Sequence, residues 1–371
     1  MHILIATDSF KGCLSSQSAG EAIARGVRRV GHSAFVMPIA DGGEGTIEAL
    51  KAIPGAEIMR ATVSDPLMRQ REASYLRLPD SRIIIESASA IGLTLVEPSL
   101  RNPLSTSSFG IGTLINHAIR QGAKQIDVAL GGTATNDAGM GALQALGARL
   151  FDSAGYEIAT PATGADLISI KTIDFAPLPR GVKLNLLCDA AIPFTGPTGA
   201  VALYSAQKGA DAGAMSLLEE GMHNIKEILE SHSGIILDSS GGAAGGLEAG
   251  LMCAFGASRS RGIQVVLDVL NFRDFARNAD LVITGEGKAD CQTLQGKAAK
   301  GVLDSSGTTR VVLLAGKVDN LQSLLEAGFT GVININSDCD SSIDPMDSEV
   351  AENRLADAAE KVMQLFCRNF S

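Results

Sequence analysis

Tryptophan is absent from the chain, and aromatic residues make up only 4% of it. Proteins that bind single-stranded nucleic acids commonly stack the bases on aromatic side chains, so this composition disfavours such a surface. Basic residues are also in the minority, at 31 against 41 acidic residues, and the formal net charge is −10. This balance argues against nucleic acids and anionic membranes as general partners, although a local basic pocket is still allowed.

Cysteine and histidine are too few and too scattered to indicate a metal site or a disulfide framework. The chain has neither Cys-x-x-Cys pairs nor histidines at zinc-ligand spacing. We therefore predict no metal or disulfide role for the cysteines, and no catalytic role for a histidine, since no Ser-His-Asp or Cys-His constellation is visible. The cysteines are Cys13, Cys188, Cys253, Cys291, Cys339 and Cys367.

Signals for export or membrane insertion are also missing. The first ten residues lead directly into a strand-like segment, without the basic and apolar regions of a signal peptide. No apolar run reaches the length of a membrane span. We therefore expect a cytoplasmic protein. The sequence does not indicate its oligomeric state.

Glycine, by contrast, is abundant, with 41 residues in a chain of 371. Glycine lets the backbone approach a ligand closely, so glycine-dense loops suit a phosphate group. The length favours two domains, and a hydrophobic content of 45% is ordinary for globular proteins.

Both ends of the chain alternate strand, loop and helix, which is typical of a parallel sheet. We predict strands over 3–6 and 34–39 near the start, and strands over 281–284, 311–315 and 331–336 near the end. Helices are expected over 16–30, from about residue 46, and over 355–366. The two ends should share one open, five-stranded, flavodoxin-like sheet.

The middle of the chain has a different pattern of predicted strands and loops. Its predicted strands, over 82–86, 125–130 and 183–188 with a weaker one over 74–78, are separated by long loops that contain glycine and proline. We therefore predict an α/β protein in which residues 1–56 plus 265–371 form a discontinuous flavodoxin-like domain. Residues 57–264 are predicted as an inserted mixed α/β domain.

The loop Asp41-Gly42-Gly43-Glu44-Gly45-Thr46 is the first with possible chemistry. It lies between a predicted strand and a predicted helix, where backbone amides and the helix N-terminus favour an anion. Two carboxylates would repel a bare phosphate, but they suit Mg²⁺ held between acid and phosphate. The alternative is a tight turn in which an aspartate caps the helix.

Three further loops place glycines where a phosphate could bind. They contain Gly131, Gly132, Thr133 and Asn136; Gly245 and Gly246; and Gly285, Glu286 and Gly287 followed by Lys297. Each could be an ordinary turn or helix cap, but four such loops in one chain are hard to ascribe to turns alone. A Walker A loop is excluded, because Gly296-Lys297-Ala298 lacks the earlier glycine and the hydroxyl. No dinucleotide fingerprint is present either.

Two single residues stand out at the ends of predicted strands. Asp189 follows the strand over 183–188, where it could accept a proton or bind metal, and a turn-forming aspartate is the alternative. Lys11 follows Asp8-Ser9 and could neutralise phosphate charge, or it could be a solvated surface lysine.

Taken in order, these loops resemble the motifs of the type-1 bacterial glycerate kinases, which phosphorylate D-glycerate with ATP. The resemblance spans essentially the whole chain. It rests on Asp8 to Gly12, Ala40 to Thr46, Ser105 to Gly110, Gly131 to Asp137, Gln207 to Ala210, Ala243 to Gly246, and Thr284 to Gly287 with Gly296-Lys297. One departure is Ile192, where the family usually has asparagine in the motif that begins at Cys188-Asp189.

The resemblance implies two α/β domains with the active site in the cleft between them, ATP and D-glycerate as substrates, and Mg²⁺ as cofactor. It implies that the glycines, Thr133 and Asn136 hold phosphates. It also implies that Lys11 and Lys297 stabilise transferring charge, and that Asp189 orients or deprotonates the attacking hydroxyl. The expected metal-binding acids are Asp41, Glu44 and Glu286. The expected glycerate-binding residues are Ser9, Arg69, Arg101, Ser105, Thr106 and Ser107.

Three alternatives stay open at this point. Family resemblance favours 2-phosphoglycerate as product, and 3-phosphoglycerate is the alternative. A kinase for another small hydroxy acid could use the same loops. A non-catalytic binding protein of the same fold is disfavoured by the five charged residues Lys11, Asp41, Asp189, Glu286 and Lys297.

Overall fold

The computed structural model of the chain describes residues 1–337 and 344–368, with only the backbone of residue 368. Cys339 lies outside these residues. The described chain divides into two compact units, Met1–Ala52 with Arg261–Ser371, and Ile53–Ser260. We call them the parallel-sheet unit and the mixed unit. The predicted boundaries, 56/57 and 264/265, each lie four residues further along the chain than these.

The parallel-sheet unit opens the chain and resumes near residue 261. Its first part contains β1 (His2–Thr7), α1 (Ser16–Arg29), β2 (Ser33–Val36) and α2 (Thr46–Leu50).

The mixed unit comes next. Its strands are β3 (Glu57–Ser64), β4 (Gln70–Arg77), β5 (Ile83–Glu86), β6 (Gln125–Ala129), β7 (Arg149–Phe151), β8 (Thr172–Asp174), β9 (Lys183–Leu187) and β10 (Ser258–Ser260). Its helices are α3 (Ala88–Ile91), α4 (Phe109–Arg120), α5 (Met140–Ala145), α6 (Ala200–Tyr204), α7 (Ala212–Ser233) and α8 (Leu247–Phe255).

The chain then completes the parallel-sheet unit. The remaining helices are α9 (Gly262–Val269), α10 (Phe272–Arg277), α11 (Cys291–Leu294), α12 (Ala298–Ser305), α13 (Leu321–Glu326) and α14 (Ser348–Arg368). The remaining strands are β11 (Leu281–Ala289), β12 (Val311–Val318) and β13 (Gly331–Asn334).

The first unit is built on one five-stranded parallel sheet with the order β13-β12-β11-β1-β2. Strands buried on both faces need continuous apolar runs, and β1 is buried at every residue after His2. Helices α1 and α14 pack against each other beside the sheet, and Gly26 permits the close approach, because a Cβ there would lie 2.0 Å from the carbonyl oxygen of Ala356.

Two strands of this sheet extend beyond their predicted ends. We expected strands over 281–284 and 311–315 followed by loops, but β11 continues to Ala289 and β12 to Val318. The two strands stay paired past the apolar residues, with Lys288 opposite Lys317 and Ala289 opposite Val318. Gly285, Glu286 and Gly287 are therefore strand residues and not a loop.

The mixed unit contains a six-stranded sheet with the order β10-β9-β6-β5-β4-β3 and a two-stranded sheet of β7 and β8. The pairs β3–β4 and β4–β5 are antiparallel, and the other pairs of the larger sheet are parallel. The predicted α/β class with a parallel sheet is confirmed, and the structure shows that the larger sheet of the mixed unit is a mixed sheet. Strand β3 was not predicted from the sequence. It lies at the sheet edge and is largely exposed, so its sequence lacks a clear apolar pattern.

Among the described helices, none combines the length and the apolar character that crossing a membrane requires.

Candidate functional site

The carboxyl ends of the parallel strands surround a cavity of about 410 Å³, which we call the sheet-end cavity. All of its lining residues belong to the parallel-sheet unit. It contains the predicted site residues Ser9, Lys11, Asp41, Glu286, Gly287 and Lys297. It is also lined by Asp8, Phe10, Cys13, Lys288, Gly316, Lys317, Ile335, Asn336, Pro345, Met346 and Ala351.

Strand pairing explains why distant segments meet here. Strands β1 and β11 are parallel neighbours, and the backbone amide of Asp8 donates to the carbonyl of Gly285 at 2.9 Å. In sheets of this kind the chain leaves β1 and β11 toward opposite sides, and ligands bind in the crevice at the carboxyl ends of such strands.

The acids of the cavity lie in an environment that disfavours their charge. Burial raises the pKa of Glu286 to about 7, and repulsion from Asp8 adds to the rise. Burial likewise raises the pKa of Asp8 to about 6, with a further contribution from Asp41. The hydroxyl of Thr293 donates to Glu286 at 2.6 Å, which partly offsets the effect. A bound cation would remove this repulsion.

The donor set fits Mg²⁺ that arrives with a ligand better than a preformed metal cage. Among the described residues, no three or more His, Cys, Asp and Glu side chains are grouped as a metal site. Asp41 and Glu286 nevertheless line the same cavity, and Mg²⁺ is commonly held by one or two carboxylates together with phosphate oxygens and water. Glu44 does not line this cavity.

Four lysines balance the acids of the sheet-end cavity. The ammonium of Lys11 lies 3.9 Å from Asp41, and that of Lys297 donates to the side chain of Gln292 at 2.8 Å. Lys288 and Lys317 were not among the predicted site residues. Both contact Asp319, at 3.2 and 3.5 Å.

The loop from Asp41 to Thr46 is held by its own side chains. The amide of Gly43 donates to Asp41 at 3.0 Å, and the hydroxyl of Thr46 donates to the carbonyl of Gly43 at 2.8 Å. Gly42 has a φ of +86°, and a Cβ there would lie 2.1 Å from the Cα of Gly262. This geometry agrees with the alternative interpretation of the loop as a tight turn. The same turn also places Asp41 at the cavity.

The second predicted loop, Gly131 to Asp137, lies in the mixed unit and is anchored by a buried carboxylate. Asp137 accepts hydrogen bonds from the amide and hydroxyl of Ser108, both at 2.7 Å, and from the amides of Gly139 and Gly141. Burial raises its pKa, and these hydrogen bonds work in the opposite direction. Asp137 therefore ties the loop to the starts of α4 and α5.

A buried lysine holds the other side of this loop. Lys208 is only 3% exposed, and its ammonium donates to the carbonyl of Thr135 at 2.7 Å and to the side-chain oxygen of Asn136 at 3.4 Å. Burial lowers the pKa of Lys208 to about 8, while the charge of Asp137 acts to raise it. Its surroundings could not be read from the sequence, although it lies in a segment that resembles a family motif.

The loop with Gly245 and Gly246 packs directly on the same segment. A Cβ at Gly245 would lie 2.0 Å from the carbonyl oxygen of Thr135, and one at Gly246 would lie 2.8 Å from the ring of Phe194. Close packing within the mixed unit therefore explains by itself why both positions are glycine.

The residues predicted to bind the substrate carboxylate have partners of their own. Thr106 donates to the carbonyl of Ala134, and Ser107 donates to that of Ala162, with both side chains buried. Ser105 donates to the carbonyl of Asn102.

Arg69 forms an ion pair with Asp65 at 2.6 Å and donates to the carbonyl of Leu95. Arg101 donates to the carbonyl of Val96 at 3.2 Å. Asp189 is half-buried and follows β9 by two residues. Asp189 belongs to the mixed unit, whereas Lys11 and Lys297 belong to the parallel-sheet unit.

Comparison with known proteins agrees with the motifs. The glycerate kinase family matches residues 3–367. A glycerate kinase of Bacillus subtilis (strain 168) is 41% identical over 328 residues, which cover 86% of this chain and 85% of the relative. The glycerate 2-kinase of Escherichia coli (strain K12) is 38% identical over 310 residues, covering 81% of each chain.

The fold is also similar to that of a solved protein. A crystal structure of a candidate glycerate kinase 2 from Salmonella typhimurium LT2 matches with a TM-score of 0.86 and 34% identity, covering 100% of this chain and 99% of the other. The predicted class of enzyme is thereby confirmed. The chain belongs to the glycerate kinase family and is an ATP-dependent kinase.

Proposed function

We propose that this protein transfers the terminal phosphoryl group of ATP to D-glycerate, with Mg²⁺ as cofactor and 2-phosphoglycerate as product. The match to the glycerate kinase family over residues 3–367 supports the substrate. The observation that carries the chemistry is the sheet-end cavity, since it gathers predicted catalytic lysines and predicted metal-binding acids from four separate segments.

The residues of the cavity have distinct roles in this proposal. Lys11 and Lys297 neutralise the charge that develops on the transferred phosphoryl group. Their stabilisation of this charge is effective because the two ammonium groups are already positioned in a site away from bulk water. Asp41 and Glu286 hold Mg²⁺, and Glu44 supports that site from outside the cavity. The metal, when bound, neutralises phosphate charge and orients the phosphate oxygens.

The mixed unit supplies the acceptor side of the reaction in this proposal. Asp189 accepts the proton of the attacking hydroxyl, and Ser9 from the parallel-sheet unit assists in orienting it. The glycerate carboxylate is bound by Arg101 next to the loop of Ser105, Thr106 and Ser107, whose hydroxyl protons are engaged with the carbonyls of Asn102, Ala134 and Ala162. Arg101 suits this better than Arg69, because the guanidinium of Arg69 is already paired with Asp65.

The glycines of both units let the backbone approach the phosphates closely in this proposal. In the parallel-sheet unit these are Gly42, Gly43, Gly45, Gly285 and Gly287. In the mixed unit they are Gly131, Gly132, Gly245 and Gly246, with the side chains of Thr133 and Asn136.

The domain description is part of the same proposal. Read from the β2 edge, the sheet of the parallel-sheet unit has the order β2-β1-β11-β12-β13. When the five strands are numbered by their order along the chain within this unit, this is 2-1-3-4-5, the order of flavodoxin-like sheets, and it supports that classification. The discontinuous domain, the active-site cleft between domains and the cytoplasmic location stay predictions.

The decisive experiment is a coupled assay of ADP release with Mg²⁺, ATP and D-glycerate. Turnover with D-glycerate that exceeds turnover with other small hydroxy acids is expected. No turnover with any of these acids would refute the kinase activity and favour a binding protein. ³¹P NMR of the product distinguishes 2-phosphoglycerate from 3-phosphoglycerate.

A further inference from the structure

The loop that carries the proposed base, residues 188–193, has few polar side chains of its own. The four residues after Asp189 are two alanines, an isoleucine and a proline, whose side chains neither donate nor accept hydrogen bonds. An acid that takes a proton from a substrate has to be held within hydrogen-bond reach of that proton. Neighbouring segments must therefore hold this loop, which we call the Asp189 loop.

Strand β10 supports the first part of the loop. The amide of Cys188 donates to the carbonyl of Ser260, the last residue of β10, at 3.0 Å. The thiol of Cys188 then donates to the carbonyl of Ala190 at 3.2 Å, across Asp189. The chain therefore reaches Asp189 from a fixed point on β10.

The segment before α8 supports the second part of the loop. The amide of Gly242 donates to the carbonyl of Ile192 at 2.9 Å, and Gly241 forms an isolated β-bridge with Pro193. A Cβ at Gly242 would lie 2.2 Å from the carbonyl oxygen of Pro193, so the two segments are in close backbone contact. The position of the loop therefore depends on the position of these two glycines.

One buried carboxylate connects the two supports. Glu248 on α8 is 0% exposed, and its Oε2 accepts hydrogen bonds from the amides of Gly241 and Ala243, both at 3.1 Å. Its other oxygen, Oε1, lies 3.1 Å from Nε of Arg259 on β10. Because Arg259 directly precedes Ser260, this ion pair joins the end of β10 to the segment before α8.

The ion pair is not explained by stability alone. Burial raises the pKa of Glu248, while the two amides and the charge of Arg259 act to lower it. A buried ion pair contributes little net stability compared with apolar side chains of similar volume, whereas losing one partner leaves an unpaired buried charge. A role in fixing the neighbouring loop gives a reason for charges at this place.

We propose that Glu248 and Arg259 are positioning residues, which fix the Asp189 loop so that its carboxylate meets the attacking hydroxyl of the acceptor acid. The pair acts through the two backbone supports of the loop and not through contact with the substrate. This inference rests on the proposed function, in which Asp189 is the base, and it adds the residues that make this base effective.

The test removes both charges of the pair together. In the double variant Glu248→Gln/Arg259→Met, glutamine keeps an oxygen for the two amides, and no charge is left buried alone. Arg259→Met by itself leaves the carboxylate of Glu248 unpaired, so it should be less stable in urea unfolding than the double variant. Arg149→Met/Glu157→Gln is the matched control, because it makes the same two substitutions at an ion pair of 2.7 Å in the same unit.

Steady-state kinetics with D-glycerate, ATP and Mg²⁺ give the first readout. We expect Glu248→Gln/Arg259→Met to lower kcat about tenfold and to change the KM for ATP less than about twofold, since a misplaced base affects the chemical step. Arg259→Lys keeps the charge and should retain kcat within about threefold, as should the control. A double variant with wild-type kcat would show that the pair is only structural and would overturn the proposal.

The background that lacks the base gives the second readout. In Asp189→Asn, adding Glu248→Gln/Arg259→Met should lower kcat less than about twofold further, because the pair acts through Asp189. An equal loss, of about tenfold, with and without the carboxylate of Asp189 would mean that the pair acts on another group. That result would also overturn the proposal.

Hydrogen exchange separates this inference from the proposed function, because it needs no turnover. The amides of Cys188 and Gly242, which hold the loop, should exchange faster in Glu248→Gln/Arg259→Met than in wild type, and at the wild-type rate in the control. Unchanged exchange would refute the positioning role, whatever the activity. A wild-type protein that phosphorylates no hydroxy acid would refute the proposed function, whereas wild-type turnover with unchanged kcat in the double variant would refute the positioning role alone.

Discussion

Replacing Lys208 by methionine should change how the stability of the mixed unit depends on pH. The pKa of Lys208 is lowered to about 8 in the folded protein because its ammonium is buried. Its usual value, about 10.5, applies to the unfolded chain. Between these two pH values the unfolded chain binds more protons at this position, so wild-type stability rises with pH there.

The size of the effect follows from the two pKa values. At pH 7 the lysine is charged in both states, and its burial cost is present in full. At pH 9 the folded protein has released most of this proton, which lowers the burial cost by roughly 1 kcal/mol. Lys208→Met has no such proton. The free energy of unfolding of wild type should therefore rise relative to that of Lys208→Met by roughly 1 kcal/mol from pH 7 to pH 9.

Tyrosine fluorescence is a suitable assay, because the chain lacks tryptophan and all three tyrosines, Tyr75, Tyr156 and Tyr204, lie in the mixed unit. Urea unfolding of both proteins at pH 7 and pH 9 gives the double difference, in which other titrating groups cancel. A constant offset between the two proteins, from lost hydrogen bonds to Thr135 and Asn136, does not affect the comparison. Parallel pH dependences would refute a lowered pKa at Lys208.

Three further predictions concern the site and its packing. Asp189→Asn should lower kcat by about 10²–10⁴-fold with little change in the KM for ATP, and near-wild-type turnover would remove Asp189 from the role of base. Because the pKa of Glu286 is about 7, binding of Mg²⁺ and ADP at pH 7 should release about half a proton from it. Calorimetry in buffers of different ionisation enthalpy measures this proton release. The release should be smaller in Asp8→Asn, because removing the charge of Asp8 lowers the pKa of Glu286. Equal proton release in wild type and Asp8→Asn would contradict the repulsion between Asp8 and Glu286. Gly245→Ala should destabilise the mixed unit more than Gly196→Ala does. Both glycines have a positive φ, but only a Cβ at Gly245 would lie against a backbone oxygen. Equal urea midpoints for the two variants would contradict this packing.

Much of the architecture is determined by local sequence patterns. The continuous apolar run of β1 and the glycine-bearing loops after strands predict a parallel sheet, since a strand buried on both faces needs such a run. The ordered motifs also identify the family without any knowledge of contacts. These features are readable because they depend on residues close together along the chain.

Tertiary structure alone decides which polar residues are already engaged. Thr106 and Ser107 resemble anion-binding hydroxyls in sequence, yet both donate to backbone carbonyls of distant residues. Lys208 resembles any surface lysine, but packing buries it against Thr135, 73 positions away in the chain. Pairing with β11 likewise carries β12 past its apolar residues and brings Lys317 to the cavity. Burial and pairing depend on contacts between distant segments, and for this reason no local pattern in the sequence encodes them.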